Sequence, residues 1–248
     1  MRESTNNQFM LATIKHIYLY PIKAMRGVPV RQAHLTVNGF LGDRRYAFVR
    51  QQAAATSGFP WMTGREKPHL ILYAPRFGRT PTPDDWDVPV WVQTPDGGDY
   101  AVNDPRLCDE IAALYGHPVF LFKTKRGNFD SQHVSLISLA SVAQLEAESG
   151  TTIDPRQFRA NLYIEPADRV PFSENSWVGK IVRVGAQAQI GITKLDERCM
   201  MINLHPDTAV QDPAVLRTVT HLHNESMGIY GNVVVPGIVR VGDVISLL

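Results

Sequence analysis

Only two of the 248 residues are cysteine, Cys108 and Cys199, and no CxxC pair occurs. This leaves at most one disulfide, between the two, and removes the common four-cysteine zinc sites. A GxxxxGK[ST] phosphate loop and a HExxH helix are also missing, which removes the usual nucleotide and metalloprotease readings. Neither sign of charge is in excess: 25 Lys and Arg stand against 24 Asp and Glu, a formal net charge of +1. Such a balance gives no global pull toward nucleic acid or anionic membrane, so any basic site must be a focused one. No apolar run approaches the roughly 20 residues that cross a bilayer. The opening MRESTNNQF is polar and lacks an apolar core of signal-peptide length. Two thiols without a leader are expected to be reduced, in the cytoplasm.

What is present suits a folded globular chain, with 44% hydrophobic and 20% charged residues. Alternation predicts strands over Ala12–Tyr20 and Val30–Val37, the second ending at an Asn38–Gly39 turn. Further strands are expected at Arg45–Arg50, His69–Tyr73 and Val88–Thr94, with a Pro- and Asp-rich loop at Thr80–Asp87. Helical spacing appears over Asp104–Gly116, Ser138–Glu148 and Pro213–Leu222. Strands return at Ile181–Val184, Gln187–Ile192, Val233–Val235 and Gly237–Leu247. Many short strands and few helices point to a mainly β chain built of barrels. A boundary near residues 124–128, in a polar turn-prone stretch, gives domains at 10–125 and 126–248.

Cys199 stands in Leu195-Asp-Glu-Arg-Cys-Met-Met-Ile. Taken alone, a single cysteine near apolar residues is more often a buried core thiol than a ligand. A thiolate is favoured if the Arg198 guanidinium lies close in space. One thiolate cannot complete a zinc site, but it can be one soft ligand to a metal whose other ligands come from a cofactor.

The surrounding series is more specific. Leu19-Tyr-Pro-Ile-Lys-Ala-Met-Arg-Gly, Gly42-Asp-Arg-Arg-Tyr-Ala-Phe and Thr63-Gly-Arg-Glu-Lys-Pro come first. Asp154-Pro-Arg-Gln-Phe-Arg-Ala-Asn-Leu-Tyr-Ile, Phe172-Ser-Glu-Asn-Ser-Trp-Val-Gly and Arg198-Cys199 follow. Then come His205-Pro-Asp-Thr, Met227-Gly-Ile-Tyr-Gly-Asn-Val and Ile238-Val-Arg-Val-Gly-Asp-Val. From about Leu11 onward, this order and spacing resembles the MOSC domain, named for the C-terminal part of molybdenum cofactor sulfurase, preceded by the N-terminal β-barrel domain of one branch of that family. That branch includes the mitochondrial amidoxime reducing component and related bacterial reductases.

The resemblance implies a MOSC β-barrel preceded by a β-barrel-like domain, and a molybdenum cofactor (molybdopterin) with Cys199 as the protein ligand to the metal. A terminal phosphate asks for bidentate arginine or a lysine point charge. Lys23, Arg65 and Arg159 occupy the matching motif positions, with Arg156, Arg44 and Asn161 as second choices. Asp43–Arg44 reads equally well as a salt bridge, and Arg156 as a loop cap. Asp130 matches an acid position and is expected to handle protons or orient a ligand, while Asp207 is expected to orient the loop beside Cys199. Ser138 and Ser141 could offer hydroxyls and a helix N-terminus to an anion, although simple helix capping is the preferred reading. His221 and His223 read as surface or partner residues, Trp61 and Trp177 as packing aromatics, and Cys108 as structural.

The implied activity is reduction of small N-hydroxylated compounds. No iron–sulfur cysteines follow the barrel, so electrons are expected from a separate electron-transfer protein. Neither nucleic acid nor membrane is expected as a partner. A cofactor carrier is the alternative, and a barrel that binds some other anion a third. The family commonly has Thr-Thr-Val-Asp-Pro-Asp-Thr-Gly after the cysteine, whereas this chain has Ile202-Asn-Leu-His-Pro-Asp-Thr-Ala. Ala24 also stands where a serine is common. These changes thin the hydrogen-bond donors expected around the cofactor.

Overall fold

The computed structural model describes residues 10–51 and 60–248; most of the polar opening segment thus lies outside the described residues. Strands β1 (Met10–Leu19), β2 (Val28–Val30), β3 (Gln32–Thr36), β4 (Gly39–Phe40) and β5 (Tyr46–Arg50) come first. Next are β6 (Ala74–Phe77), β7 (Val90–Gln93), β8 (Asp99–Ala101), helix α1 (Pro105–Tyr115) and β9 (Val119–Lys123). The second half contains β10 (Val134–Ser138), α2 (Leu139–Ser149), β11 (Leu162–Pro166), β12 (Ile181–Val184) and β13 (Ala188–Glu197). It ends with α3 (Pro213–Leu222), β14 (Ser226–Val235), β15 (Gly237–Arg240) and β16 (Val244–Leu247).

The chain is mainly β, and seven strands close into a barrel. In order these are β11, β10, β14, β13, β12, β16 and β1, with β1 pairing back onto β11. Closure leaves no free edge around the ring. Its interior is packed with aliphatic side chains such as Ile14, Ile17, Leu136, Ile164, Ile190 and Ile229. Ile14 and Ile17 are three apart yet both buried, because a register shift between Ile14 and His16 resets the alternation of β1.

A second core gathers Ile22, Met25, Phe48, Met62, Leu107 and Ile111 beneath the pairs β5–β9 and β6–β7–β8 and helix α1. The two halves interleave across the 124–128 stretch. Strand β1 belongs to the barrel ring, and β3 pairs with β15 near the end of the chain. The link from β1 to β5, residues 20–45, therefore runs along the barrel and brings Lys23 and Arg44 to it.

The helices begin and end where capping chemistry places them. Asp104 accepts from the Arg106 amide, Ser138 from the Ser141 amide and Asp212 from the Ala214 amide, while Gly116 and Gly150 terminate α1 and α2 in the left-handed region. Two expectations need correction. His69–Tyr73 is not a strand: Pro68 opens a 3-10 turn over Pro68–Leu72, which buries Leu70 and Ile71 without any ladder partner. Short apolar runs do not distinguish the two states. Val30–Val37 is split at Arg31 between β2 and β3, which join different sheets. Among the described residues, no helix is long and apolar enough to cross a membrane.

Candidate functional site

Strand β13 runs out of the barrel and ends at Glu197, so Arg198 and Cys199 lie just beyond its rim. The Cys199 thiol is exposed and lines a cavity of about 1420 Å³, counting the part open to solvent. The neighbouring Arg198 is engaged by other groups. Its guanidinium is 2.8 Å from an Asp196 carboxylate oxygen and donates to the carbonyls of Met227 at 2.7 Å and Phe158 at 3.0 Å. Three anchors in three directions make Arg198 a fastening for the strand end that carries Cys199.

Six basic side chains line the cavity (Lys23, Arg44, Arg65, Arg159, Lys194 and Arg198) against three acidic ones, Asp130, Asp196 and Glu197. Lys23 is 7% exposed; it donates to the Asn128 carbonyl at 2.8 Å and to Asp130 at 2.6 Å. Burial pulls its pKa below the ordinary lysine range, and Asp130 pulls it back up. Arg159 is also lowered, first by burial, with Arg44 adding a like-charge contribution. Its guanidinium lies 4.5 Å from the centre of the Tyr20 ring, and among the described residues no carboxylate forms an ion pair with it. Arg44 is anchored by Asp43 at 2.5 Å, donates to the Arg159 carbonyl at 3.1 Å and also packs on Tyr20. Arg65 is exposed on the cavity wall.

Three non-glycine residues of this wall hold left-handed backbone: Ala24 at φ 68°, Arg44 at φ 49° and Arg159 at φ 52°. Such conformations cost roughly 1–3 kcal/mol each and persist where the surroundings impose them. They aim two guanidinium groups at one ring beside the cavity.

Not every residue singled out from the sequence reaches this cavity. Asn161 is 1% exposed and absent from its wall; it donates to the Tyr18 carbonyl and to Asp43, and accepts from the Ser135 amide. It pins strands together. Arg156 and Asp207 form an ion pair at 2.5 Å, on and near an adjoining groove, and Asp154 caps the same arginine at 2.6 Å. The helix N-terminus at Ser138 is already filled from within. Buried Glu174 accepts from the Ser138 amide at 3.2 Å and from the Ser141 hydroxyl at 2.8 Å. His223 is not a simple surface residue, since it lies 2.6 Å from Glu148 and packs on Phe172. Trp177 is buried in the barrel core and Trp61 stacks on Phe122.

The loop after the cysteine turns inward. Ile202 meets the cavity only with an apolar side chain, while Asn203 is buried off its wall and accepts from the Leu216 amide of α3. One cluster was not visible in the sequence: Ser135 donates to Asp196 at 3.0 Å, and Tyr230 stands on the same wall. Burial raises the Asp196 carboxyl and the Tyr230 phenol, and Asp196 adds to the rise at Tyr230. Asp196 is 61 residues from Ser135, so only the closed barrel brings them together.

Among the described residues, no group of three or more His, Cys, Asp and Glu side chains is placed to hold a metal. A metal at Cys199 would need its remaining ligands from a cofactor. The unpaired Arg159, with Lys23 and Arg44 beside it, suits the phosphate of such a group.

Comparison with known proteins agrees with this geometry. The MOSC domain profile matches residues 123–246, and the MOSC N-terminal beta barrel domain matches residues 11–102. The chain is 23% identical over 294 residues to the mitochondrial amidoxime-reducing component 1 of Homo sapiens, covering 96% of this chain and 83% of that protein. The crystal structure of the YUAD protein from Bacillus subtilis shares its fold, with a TM-score of 0.53, 14% identity and 97% of each chain covered. The chain belongs to the MOSC domain family, with the family's N-terminal beta barrel domain ahead of the MOSC domain, and its function is accordingly related to the molybdenum cofactor.

Proposed function

We propose that the cavity binds a molybdopterin-type molybdenum cofactor and that the protein reduces small N-hydroxylated compounds with electrons from a separate protein. The observation that carries this reading is the exposed Cys199 thiol opening into the same cavity as Lys23, Arg44, Arg65 and Arg159. When bound, the cofactor supplies two-electron chemistry at its metal, so that R–NHOH, two electrons and two protons give R–NH2 and water.

The chain's own residues set the conditions for that reaction. Cys199 is the thiolate ligand. Lys23, Arg65 and Arg159 hold the phosphate, on a wall where six basic side chains against three acidic ones make an anion welcome. Arg44 supports Arg159 through its carbonyl. Asp130, exposed on the cavity wall and bonded to Lys23, is the group best placed to pass protons in from solvent.

A carrier that holds the cofactor and hands it on is the second reading. It is favoured by the Ile202 and Asn203 side chains, neither of which presents a hydroxyl to the cavity.

The test is metal and pterin analysis of the protein purified from a molybdenum-replete host. Wild type should carry both, and Cys199→Ser should lose molybdenum while keeping pterin. Absence of both from wild type overturns the two readings together. Hydroxylamine reduction with an artificial electron donor then decides between them, and intact cofactor without turnover selects the carrier.

A further inference from the structure

Strand pairing sets a polar row on the outer face of the barrel, where it meets the main cavity. Leu136 of β10 and Ile229 of β14 are paired and point into the barrel core. Their chain neighbours Ser135 and Tyr230, also paired, therefore point outward. On the next strand Lys194 stands opposite Tyr230, two residues before Asp196. All four side chains line the cavity into which Cys199 opens. Ser135 and Asp196 are only 4% and 2% exposed, so contact with bulk water does not account for their polarity.

Asp196 sets the direction of the hydrogen bonds in this row. Burial pushes its carboxyl up, but a guanidinium nitrogen of Arg198 lies 2.8 Å away and opposes the rise, keeping it a carboxylate. A carboxylate can only accept, so the Ser135 hydroxyl, at 3.0 Å, spends its single hydrogen on it. The Tyr230 hydroxyl also hydrogen-bonds to Asp196. Burial and Asp196 push that phenol above its ordinary range, so it keeps its proton. The other charges acting on it are Arg198, Arg44 and Asp130, all cavity-wall groups, which places the phenol oxygen at the cavity. Each hydroxyl has one hydrogen and has given it to Asp196. What both present to the cavity is an oxygen lone pair.

We infer that Ser135 and Tyr230, oriented by Asp196, accept the O–H hydrogen of an N-hydroxylated substrate, and that compounds without this hydrogen are poor ligands. The substrate class is then hydroxylamines, hydroxamic acids and amidoximes, to the exclusion of N-oxides and O-alkylated analogues. The cations of the cavity suit an anion, whereas this pair suits a donor hydrogen. Ser135 and Tyr230 touch the substrate, and Asp196 is a positioning residue. The identity of the ligand rests on the reductase reading above; the direction of the hydrogen bonds does not.

Calorimetric titration of the protein as purified with benzamidoxime and O-methylbenzamidoxime, without an electron donor, tests the contact. Benzamidoxime should bind at least roughly tenfold more tightly, because the ether leaves the acceptors without a donor. In Tyr230→Phe and in Ser135→Ala that ratio should fall severalfold, since benzamidoxime weakens and the ether does not. A clash with the added methyl group would survive in these variants, so the fall separates hydrogen bonding from shape. Asp196→Asn should narrow the ratio too, because its amide can donate and frees both hydroxyls to turn their hydrogens outward. Tyr230→Phe keeps the ring and removes one oxygen, so it decides the matter even if Asp196→Asn fails to fold. Equal binding of the two probes to wild type, or a ratio unchanged in Tyr230→Phe, overturns the inference. Loss of pterin from Tyr230→Phe would give these hydroxyls to the cofactor and overturns it as well.

Turnover of benzamidoxime with an artificial electron donor separates the two readings. A KM that rises in Tyr230→Phe, with kcat held, supports both. Selective binding without turnover sinks the reductase reading alone, and turnover without selectivity sinks the acceptor pair alone.

Discussion

The Lys23 ammonium lies 2.6 Å from an Asp130 carboxylate oxygen, and the two ends of this pair sit in different media, Lys23 7% exposed and Asp130 61%. Asp130 is thus the solvent-side counterion of a buried cation. An incoming phosphate and Asp130 compete for the same ammonium.

Removing the competitor should therefore help an anion bind. A unit charge about 4 Å away in a water-like medium is worth about 1 kcal/mol. Asp130→Asn should accordingly raise the affinity for inorganic phosphate roughly fivefold at low salt, and titration calorimetry checks it. A fall in affinity would mean that Asp130 positions Lys23 more than it neutralises it.

Arg159 carries two costs in the cofactor-free protein, a left-handed backbone at φ 52° and a buried charge beside Arg44. Asparagine tolerates that backbone and removes the charge. After the lost packing on Tyr20, the net gain should be about 1 kcal/mol, or roughly 2–4 °C in Tm for a chain of this size. Arg159→Asn should melt higher by scanning calorimetry while retaining at least tenfold less pterin. A lower Tm would remove the strain argument.

The architecture was legible where one local rule decided it. Asp104, Ser138 and Asp212 are caps, Gly116 and Gly150 are stops, and the three helices lie where these residues put them. Alternation found β1, and motif order picked out Cys199, Lys23, Arg65 and Arg159, which share one wall. What failed depended on partners distant in sequence. Asn161 looked like a cofactor contact but is consumed by Tyr18 and Asp43, and Arg198 by the Met227 and Phe158 carbonyls. A side chain's spare hydrogen-bonding capacity is set by the tertiary fold, and a motif does not record it.

Glu174 gives a pH signature away from the cavity. It is fully buried, accepts from Ser138 and Ser141, and burial raises its carboxyl above the ordinary glutamate value. The folded state thus keeps this proton to higher pH than the unfolded chain does. Its contribution is whole below the unfolded pKa and is lost as pH rises through the folded one. Glu174→Gln should flatten the decline of stability just above the ordinary glutamate range, measured by denaturant unfolding at a series of pH values. An unchanged slope would show that another group governs that window.

Two glycines near the site should respond oppositely to alanine. Gly228 has φ 78°, and a Cβ there would lie 2.7 Å from the Leu136 carbonyl oxygen, a backbone atom in the β10–β14 pairing. Neither strain nor clash can relax cheaply, so Gly228→Ala should cost more than about 2 kcal/mol. A Cβ on Gly64 would meet only the flexible end of Met201, at 2.7 Å from Cε. Methionine adapts to such crowding, so Gly64→Ala should cost less than about 1 kcal/mol. If Gly64→Ala instead unfolds in denaturant as readily as Gly228→Ala, Met201 is a fixed packing element that cannot yield to the added methyl group.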